Sequence, residues 1–81
     1  MIYQIIIEPD GDEFHAYCPA LKGLHTGGTT EEEALENAEH AAVAFVLSMA
    51  KHNEYIAPDL FNWVVRFSST ATFEDLFKEI T

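Results

Sequence analysis

The chain has 81 residues, of which 48% are hydrophobic and 22% charged, so the sequence predicts one folded domain rather than a disordered segment. No apolar run approaches the roughly 20 residues that a transmembrane helix needs, and the first residues lack the features of a signal peptide. Fourteen acidic residues against four basic ones give a formal net charge of −10, which disfavours direct nucleic-acid binding because phosphates repel such a surface.

The first third of the chain has the alternating pattern of a small β-sheet. Segment 2–8 is rich in isoleucine and predicts a strand, and the acidic turn of residues 9–12 follows it. Segment 13–18 predicts a second strand, and a third short strand is expected near residues 24–27. In the second strand one set of side chains should face a core, namely Phe14, Ala16 and Cys18.

Cys18 is the lone cysteine, and it therefore has no partner for an internal disulfide. This is typical of proteins in the reducing cytoplasm, so we expect a cytoplasmic location. We interpret Cys18 as a small buried hydrophobic residue because no residue with metal-ligand spacing flanks it.

A long helix is predicted from Thr30 to about His52. Thr30 is the best candidate for the N-cap, and Glu33 stands three residues later, where it completes a capping box. The spacing of apolar residues predicts that one stripe of this helix packs on the sheet. We assign to that stripe Leu35, Ala38, Ala42, Phe45 and Met49.

The second half of this helix is apolar on every side, which indicates that a second surface covers it, either the C-terminal segment or another subunit. Segment 62–67 predicts a fourth strand, and Thr72 is expected to cap a short final helix. We therefore expect a homo-oligomer, most simply a dimer, because small domains often need added burial. The interface candidates are Val43, Leu47, Trp63, Phe73 and Phe77.

The predicted fold class is α+β, with an antiparallel-rich sheet in the order β-β-β-α-β and the long helix on one face. This order also suggests half of a ribonuclease H-like fold, but the strand interiors lack the carboxylates that two-metal nuclease chemistry needs. His15 and His25 lie on different extended segments and could be neighbours in space. No His-x-x-x-His or Cys-x-x-Cys spacing occurs, so no catalytic, metal or cofactor site is predicted.

The order of these features carries a resemblance to a known family. A strand, an acidic turn, a strand that ends in Pro-x-x-x-Gly, a Gly-x-Thr segment and a helix opening on Glu-Glu-Ala-Leu together resemble the HicB-like antitoxin family. The resemblance covers residues 2–68 and implies a partial ribonuclease H-like HicB fold, with residues 1–81 as a single HicB-like domain. The positions that match are turn, cap and helix-start residues: Pro19, Gly23, Gly28, Thr30, Glu32, Glu33, Ala34 and Leu35.

In that family the corresponding domain binds a small basic HicA-type ribonuclease and prevents it from cleaving messenger RNA. The resemblance thus implies a non-enzymatic, toxin-neutralising binding module, and an acidic surface suits a basic partner. The alternative is a stand-alone oligomeric module that binds another protein or a small ligand. The candidate partner-binding residues are acidic: Asp10, Asp12, Glu31, Glu32, Glu36 and Glu39.

Many family members also carry a C-terminal DNA-binding domain. After Phe67 this sequence has fourteen residues, and the predicted final helix carries Glu74, Asp75 and Glu79 against a single Lys78. Because a negatively charged helix does not neutralise phosphates, we expect no operator binding by this chain alone.

Overall fold

The computed structural model describes residues 2–67 of the chain, which form a small α+β structure. The chain divides into two compact units, Met1–Ala41 and Ala42–Thr81. An antiparallel three-stranded sheet precedes a long helix, as the sequence predicts, and a second helix follows. The elements are β1 (Ile6–Asp10), β2 (Glu13–Tyr17), β3 (His25–Gly28), α1 (Glu31–Lys51) and α2 (Pro58–Val65).

The sheet has the strand order β1-β2-β3. β1 and β2 form a hairpin in which Asp10 pairs with Glu13, so only Gly11 and Asp12 lie in the turn. Gly11 has a φ of 63°, and a positive φ at the first central position is the type II′ pattern that matches strand twist. The acidic turn is therefore tighter than the predicted 9–12 segment.

The first strand is shorter than predicted, because it begins at Ile6 rather than Ile2. Ile6 pairs with Tyr17, the last residue of β2, so residues before Ile6 have no partner in that strand. Strand pairing, and not the β-propensity of the isoleucines, sets this boundary.

The N-terminus of α1 is capped as the sequence predicts. The hydroxyl oxygen of Thr30 accepts a hydrogen bond from the backbone N–H of Glu33 at 3.0 Å. The Glu33 carboxylate reaches back and accepts from the backbone N–H of Thr29 at 3.1 Å. The Glu33 carboxylate therefore bonds to the residue before the N-cap, whereas in a standard capping box it would bond to the N–H of the N-cap residue itself.

The first half of α1 packs on one face of the sheet through alanine side chains. Ala16 of β2 and Ala34 and Ala38 of α1 form a buried cluster, and their small side chains permit close approach of helix and strand. Around this cluster pack three larger side chains of the sheet: Ile5, Ile7 and Phe14. The inward face assigned to the second strand is confirmed, since Cys18 is buried as well.

The buried row of α1 differs from the predicted stripe. Leu35 was expected on it but is 41% exposed, whereas Ala34 is fully buried. Phe45 and Met49 are only half-buried. The buried row has a strict spacing of four residues and consists of Ala34, Ala38, Ala42, Val46 and Ala50.

The C-terminus of α1 closes with a Schellman motif, close to the predicted end at His52. The N–H of Glu54 donates to the carbonyl of Met49, and the N–H of Asn53 donates to that of Ala50. Asn53 adopts a φ of 56°, a conformation that asparagine tolerates better than most residues.

The predicted fourth strand is wrong, because segment 62–67 lies in α2 and the turn after it. Pro58 occupies the start of α2, where its fixed φ favours a helix and its missing N–H costs nothing. Leu60 and Val64, four residues apart, are the buried residues of this helix. The helix predicted after Thr72 lies outside the described residues.

Within residues 2–67, neither helix combines the length and the apolar composition that crossing a bilayer demands.

Candidate functional site

Segments that carry acidic side chains lie at one end of the sheet. Phe14, the neighbour of Glu13 at the start of β2, pairs with Gly28 at the end of β3. Gly28 in turn lies against the first turn of α1, because a Cβ atom there would be 2.7 Å from the backbone nitrogen of Ala34. The hairpin turn and the helix start therefore share this end of the sheet. The exposed carboxylates that it gathers are Asp10, Asp12, Glu13, Glu31 and Glu32.

A second group of carboxylates extends from this end along α1. Glu32, Glu36 and Glu39 are spaced by four and three residues, so they share one face of the helix. Glu32 and Glu36 are exposed and Glu39 is half-buried. We call these three residues the acidic ridge, and segment 23–50 contains no lysine or arginine that would neutralise it.

Glu33 differs from these candidates, although it belongs to the same acidic run. Its two carboxylate oxygens accept from the backbone N–H and the hydroxyl of Thr29, at 3.1 and 3.4 Å. This carboxylate is therefore occupied in fixing the start of the helix.

The face of the sheet opposite α1 carries a cluster of three rings, which we call the ring cluster: His15, Tyr17 and His25. The ring centroids of the two histidines are 5.4 Å apart, and those of His15 and Tyr17 are also 5.4 Å apart. Nδ1 of His25 lies 3.3 Å from Nε2 of His15, within hydrogen-bonding distance. The sequence suggested that these histidines could be neighbours, and the sheet register places them so.

The alternation that turns Phe14 and Ala16 toward the core also turns His15 and Tyr17 to this face, but sequence reasoning missed that Glu8 belongs to it. The phenol of Tyr17 donates a hydrogen bond to a carboxylate oxygen of Glu8 at 3.1 Å. The bond to Glu8, together with desolvation and the charge of that carboxylate, raises the pKa of the Tyr17 phenol above its ordinary value of 10.0.

Replacing Glu8 by alanine is expected to lower the pKa of Tyr17, since the bond and the charge that favour the neutral phenol are lost. An ultraviolet titration of phenolate absorbance measures this, with Tyr17→Phe used to assign the signal. Because the pKa is raised in the folded state, the bond stabilises the fold below about pH 10 and that contribution disappears as the pH rises further. A Glu54→Ala control should leave the titration of Tyr17 unchanged.

The predicted oligomer-interface residues fall into two groups. Val43, Leu47 and Trp63 are half-buried, and the Trp63 ring makes an edge contact with Phe67 at a centroid distance of 4.8 Å. Phe73 and Phe77 lie outside the described residues. Val46, which the sequence did not single out, is fully buried in this part of α1.

The described part of the chain contains no group of three or more His, Cys, Asp or Glu side chains arranged to hold a metal ion. His40 is exposed on α1. The Nδ1 atom of His52 lies 2.8 Å from the carbonyl of Ser48 and donates to it, because a carbonyl oxygen only accepts.

Comparison with known proteins finds two clear relatives. The chain is 43% identical over 60 residues to a UPF0150 protein of Thermoplasma acidophilum, a match that covers 73% of this chain and 87% of the relative. It is 38% identical over 60 residues to a UPF0150 protein of Synechocystis, covering 72% of this chain and 76% of that relative. No family model matches the chain, and no solved structure matches it. From the identity and coverage of these relatives, the chain belongs to the UPF0150 family.

Proposed function

We propose that this protein is a non-enzymatic binding module of the HicB-like antitoxin type, which neutralises a small basic HicA-type toxin by masking its RNA-binding surface. The observation that carries the proposal is the convergence of exposed carboxylates from the hairpin turn and the first turn of α1 at one end of the sheet. A surface that binds RNA is positively charged, so a concentrated negative surface of this kind is complementary to it.

The acidic ridge supports a binding role because repulsion between its charges destabilises the helix that carries them. Like charges three or four residues apart destabilise a helix by about 0.2–0.5 kcal/mol per pair, and the ridge contains the pairs Glu32–Glu36 and Glu36–Glu39. Glu31 and Glu32 favourably complement the positive end of the helix, but Glu36 and Glu39 lie beyond the first turn. A basic partner would relieve the repulsion between them.

The order of elements up to α1 also supports the proposal, since it is the order on which the HicB-like resemblance rests. Thr30, Glu33 and Gly28, which match the family pattern, fix the helix start beside the sheet. The proposal includes a homo-oligomer in the cytoplasm, with Val43, Leu47 and Trp63 as apolar contacts between copies. It includes no DNA binding by this chain alone, because its net charge is −10.

The first test is biological. The gene next to the one that encodes this chain should specify a small basic protein with a fold similar to a double-stranded RNA-binding domain. Expression of that neighbour should arrest growth and degrade messenger RNA, and co-expression of this chain should restore growth. A neighbour that is harmless, or whose toxicity this chain leaves unchanged, would contradict the proposal and favour a module that binds another protein or a small ligand.

The second test locates the interface. Glu36→Lys is expected to slow association with that toxin several-fold at low salt, because rim charges act mainly on the association rate. The Glu32→Lys/Glu36→Lys variant should slow it further, and added salt should reduce both effects. Stopped-flow or surface plasmon resonance measures the rates.

Glu54→Lys is the matched control for this experiment. It changes the net charge by the same amount as Glu36→Lys, but Glu54 is exposed in the segment between the two helices. Equal slowing by the two single variants would mean that total charge, and not the acidic ridge, governs association. An unchanged rate for both ridge variants would place the interface elsewhere on the protein.

A further inference from the structure

We propose that His15 and His25 form a two-histidine binding site for a divalent transition-metal ion such as Zn²⁺ or Ni²⁺. The site lies on the face of the sheet opposite α1 and is independent of the acidic surface proposed to bind a toxin. Imidazole nitrogen is a preferred ligand for zinc, copper and nickel.

The distance between the two ring nitrogens carries the proposal. Nε2 of His15 and Nδ1 of His25 are 3.3 Å apart. Two nitrogens bound to one tetrahedral ion at about 2.0–2.1 Å each are separated by about 3.3–3.4 Å. The rings therefore already hold these two nitrogens at the separation that a shared ion requires.

The sheet register keeps the two rings in this arrangement. His25 pairs directly with Tyr17, and the partner of His15 on β3 is Gly27. Gly27 has no side chain, so the position on β3 directly opposite His15 is empty. The ring of His25, two residues earlier on β3, can therefore reach the ring of His15 diagonally. The Tyr17 ring lies within 5.4 Å of His15 and 6.1 Å of His25 by centroid, so it limits the motion of both rings.

The surroundings favour a cation at this position. Glu8 pairs with His15 across the hairpin, and the three strands contain no lysine or arginine. Both imidazoles bind metal in their neutral form. The one proton shared between the facing nitrogens moves to the outer nitrogen of its own ring, so both facing lone pairs become available and no net proton is released.

The site supplies two protein ligands, since the described residues provide no third His, Cys, Asp or Glu close enough to complete it. Water would fill the remaining positions on the ion. Such a site is open, and it resembles catalytic rather than structural zinc sites in keeping exchangeable positions.

The experiment is an isothermal titration of the full chain, purified without a histidine tag, with Zn²⁺ and separately with Ni²⁺. We expect one ion per chain. His15→Asn and His25→Asn should each weaken binding by at least about tenfold, because even the loss of a group behind a metal ligand costs that much. His40→Asn is the matched control, an exposed histidine outside the pair, and it should bind as the unchanged protein does.

Mg²⁺ distinguishes this site from the acidic surface, because it prefers oxygen ligands and should not bind at the histidine pair. Because His15→Asn changes a residue of β2, NMR of the unchanged protein provides a second measurement that does not depend on the folding of a variant. Ni²⁺ should broaden the imidazole signals of His15 and His25 before those of His40 and His52. Equal broadening of all four, undiminished Zn²⁺ binding by His25→Asn, or Mg²⁺ binding of equal strength would overturn the proposal.

Discussion

Replacing Ala38 by leucine is expected to lower the free energy of unfolding by about 1–3 kcal/mol, the usual cost of forcing a larger side chain into a packed core. Ala38 is fully buried against Ala16 and Ala34, where small side chains let α1 approach β2. A leucine there must push the helix away from the sheet or adopt a strained rotamer. Urea unfolding followed by circular dichroism measures the change.

Leu35→Ala is the control, because it changes the same two residue types in the opposite direction on the same helix. Leu35 is 41% exposed, and substitutions at such positions usually change stability by no more than about 0.5 kcal/mol. If Leu35→Ala destabilised the protein as much as Ala38→Leu, Leu35 would belong to the buried face of the helix, as the sequence predicted, and the burial of Ala34 in its place would be contradicted.

The exposure of Leu35 shows where sequence reasoning failed on the helix. A stripe drawn through the most hydrophobic residues selects Leu35, because leucine loses more water-exposed apolar surface on burial than alanine does. The sheet instead selects the side chains that allow the closest approach, so Ala34 is buried in place of Leu35, beside Ala38, which the predicted stripe includes. The periodicity predicted that the helix exists. It also predicted the core-facing side of the helix with an error of one residue.

The capping residues were predictable because their interactions are local. Thr30 and Glu33 are three residues apart, and their bond depends only on the backbone between them. The end of α2 was not predictable in this way. Val64, Val65 and Phe67 favour a strand by propensity, but the described sheet has only three strands, and Pro58 begins a helix instead.

The candidate sites were predictable only in part, because the sequence shows which residues are acidic but not how strand pairing arranges them. The acidic residues could be identified from the sequence, but their convergence depends on the pairing of Phe14 with Gly28, which joins segments fourteen residues apart. The bond between Tyr17 and Glu8 likewise depends on the register of the hairpin. Register is set by the turn and by the buried face together, and a one-residue slip would have dispersed both groups.

Gly28→Ala is expected to destabilise the protein by about 1–3 kcal/mol through a different mechanism, the collision of a new methyl group with backbone. The φ of Gly28 is not among the positive values that disfavour alanine, so conformation is not the obstacle. The added Cβ atom would lie 2.7 Å from the backbone nitrogen of Ala34 and 2.9 Å from the carbonyl carbon of Glu33. The first turn of α1 would therefore have to move away from β3.

A double-mutant cycle with Thr30→Ala tests this mechanism. Alone, Thr30→Ala should cost about 1 kcal/mol, because the backbone N–H of Glu33 loses its cap. In the Gly28→Ala background it should cost less, since the displaced helix start has already weakened that bond. Gly11→Ala is the comparison background. A Cβ atom at this position meets nothing within 4 Å, and the only strain comes from the φ of 63°. In this background Thr30→Ala should therefore lower the free energy of unfolding by the full amount of about 1 kcal/mol. If Thr30→Ala lowered the free energy of unfolding equally in all three backgrounds, the position of the helix start would not depend on Gly28. The close contact of Gly28 would then not explain why the acidic first turn of α1 lies at the end of the sheet.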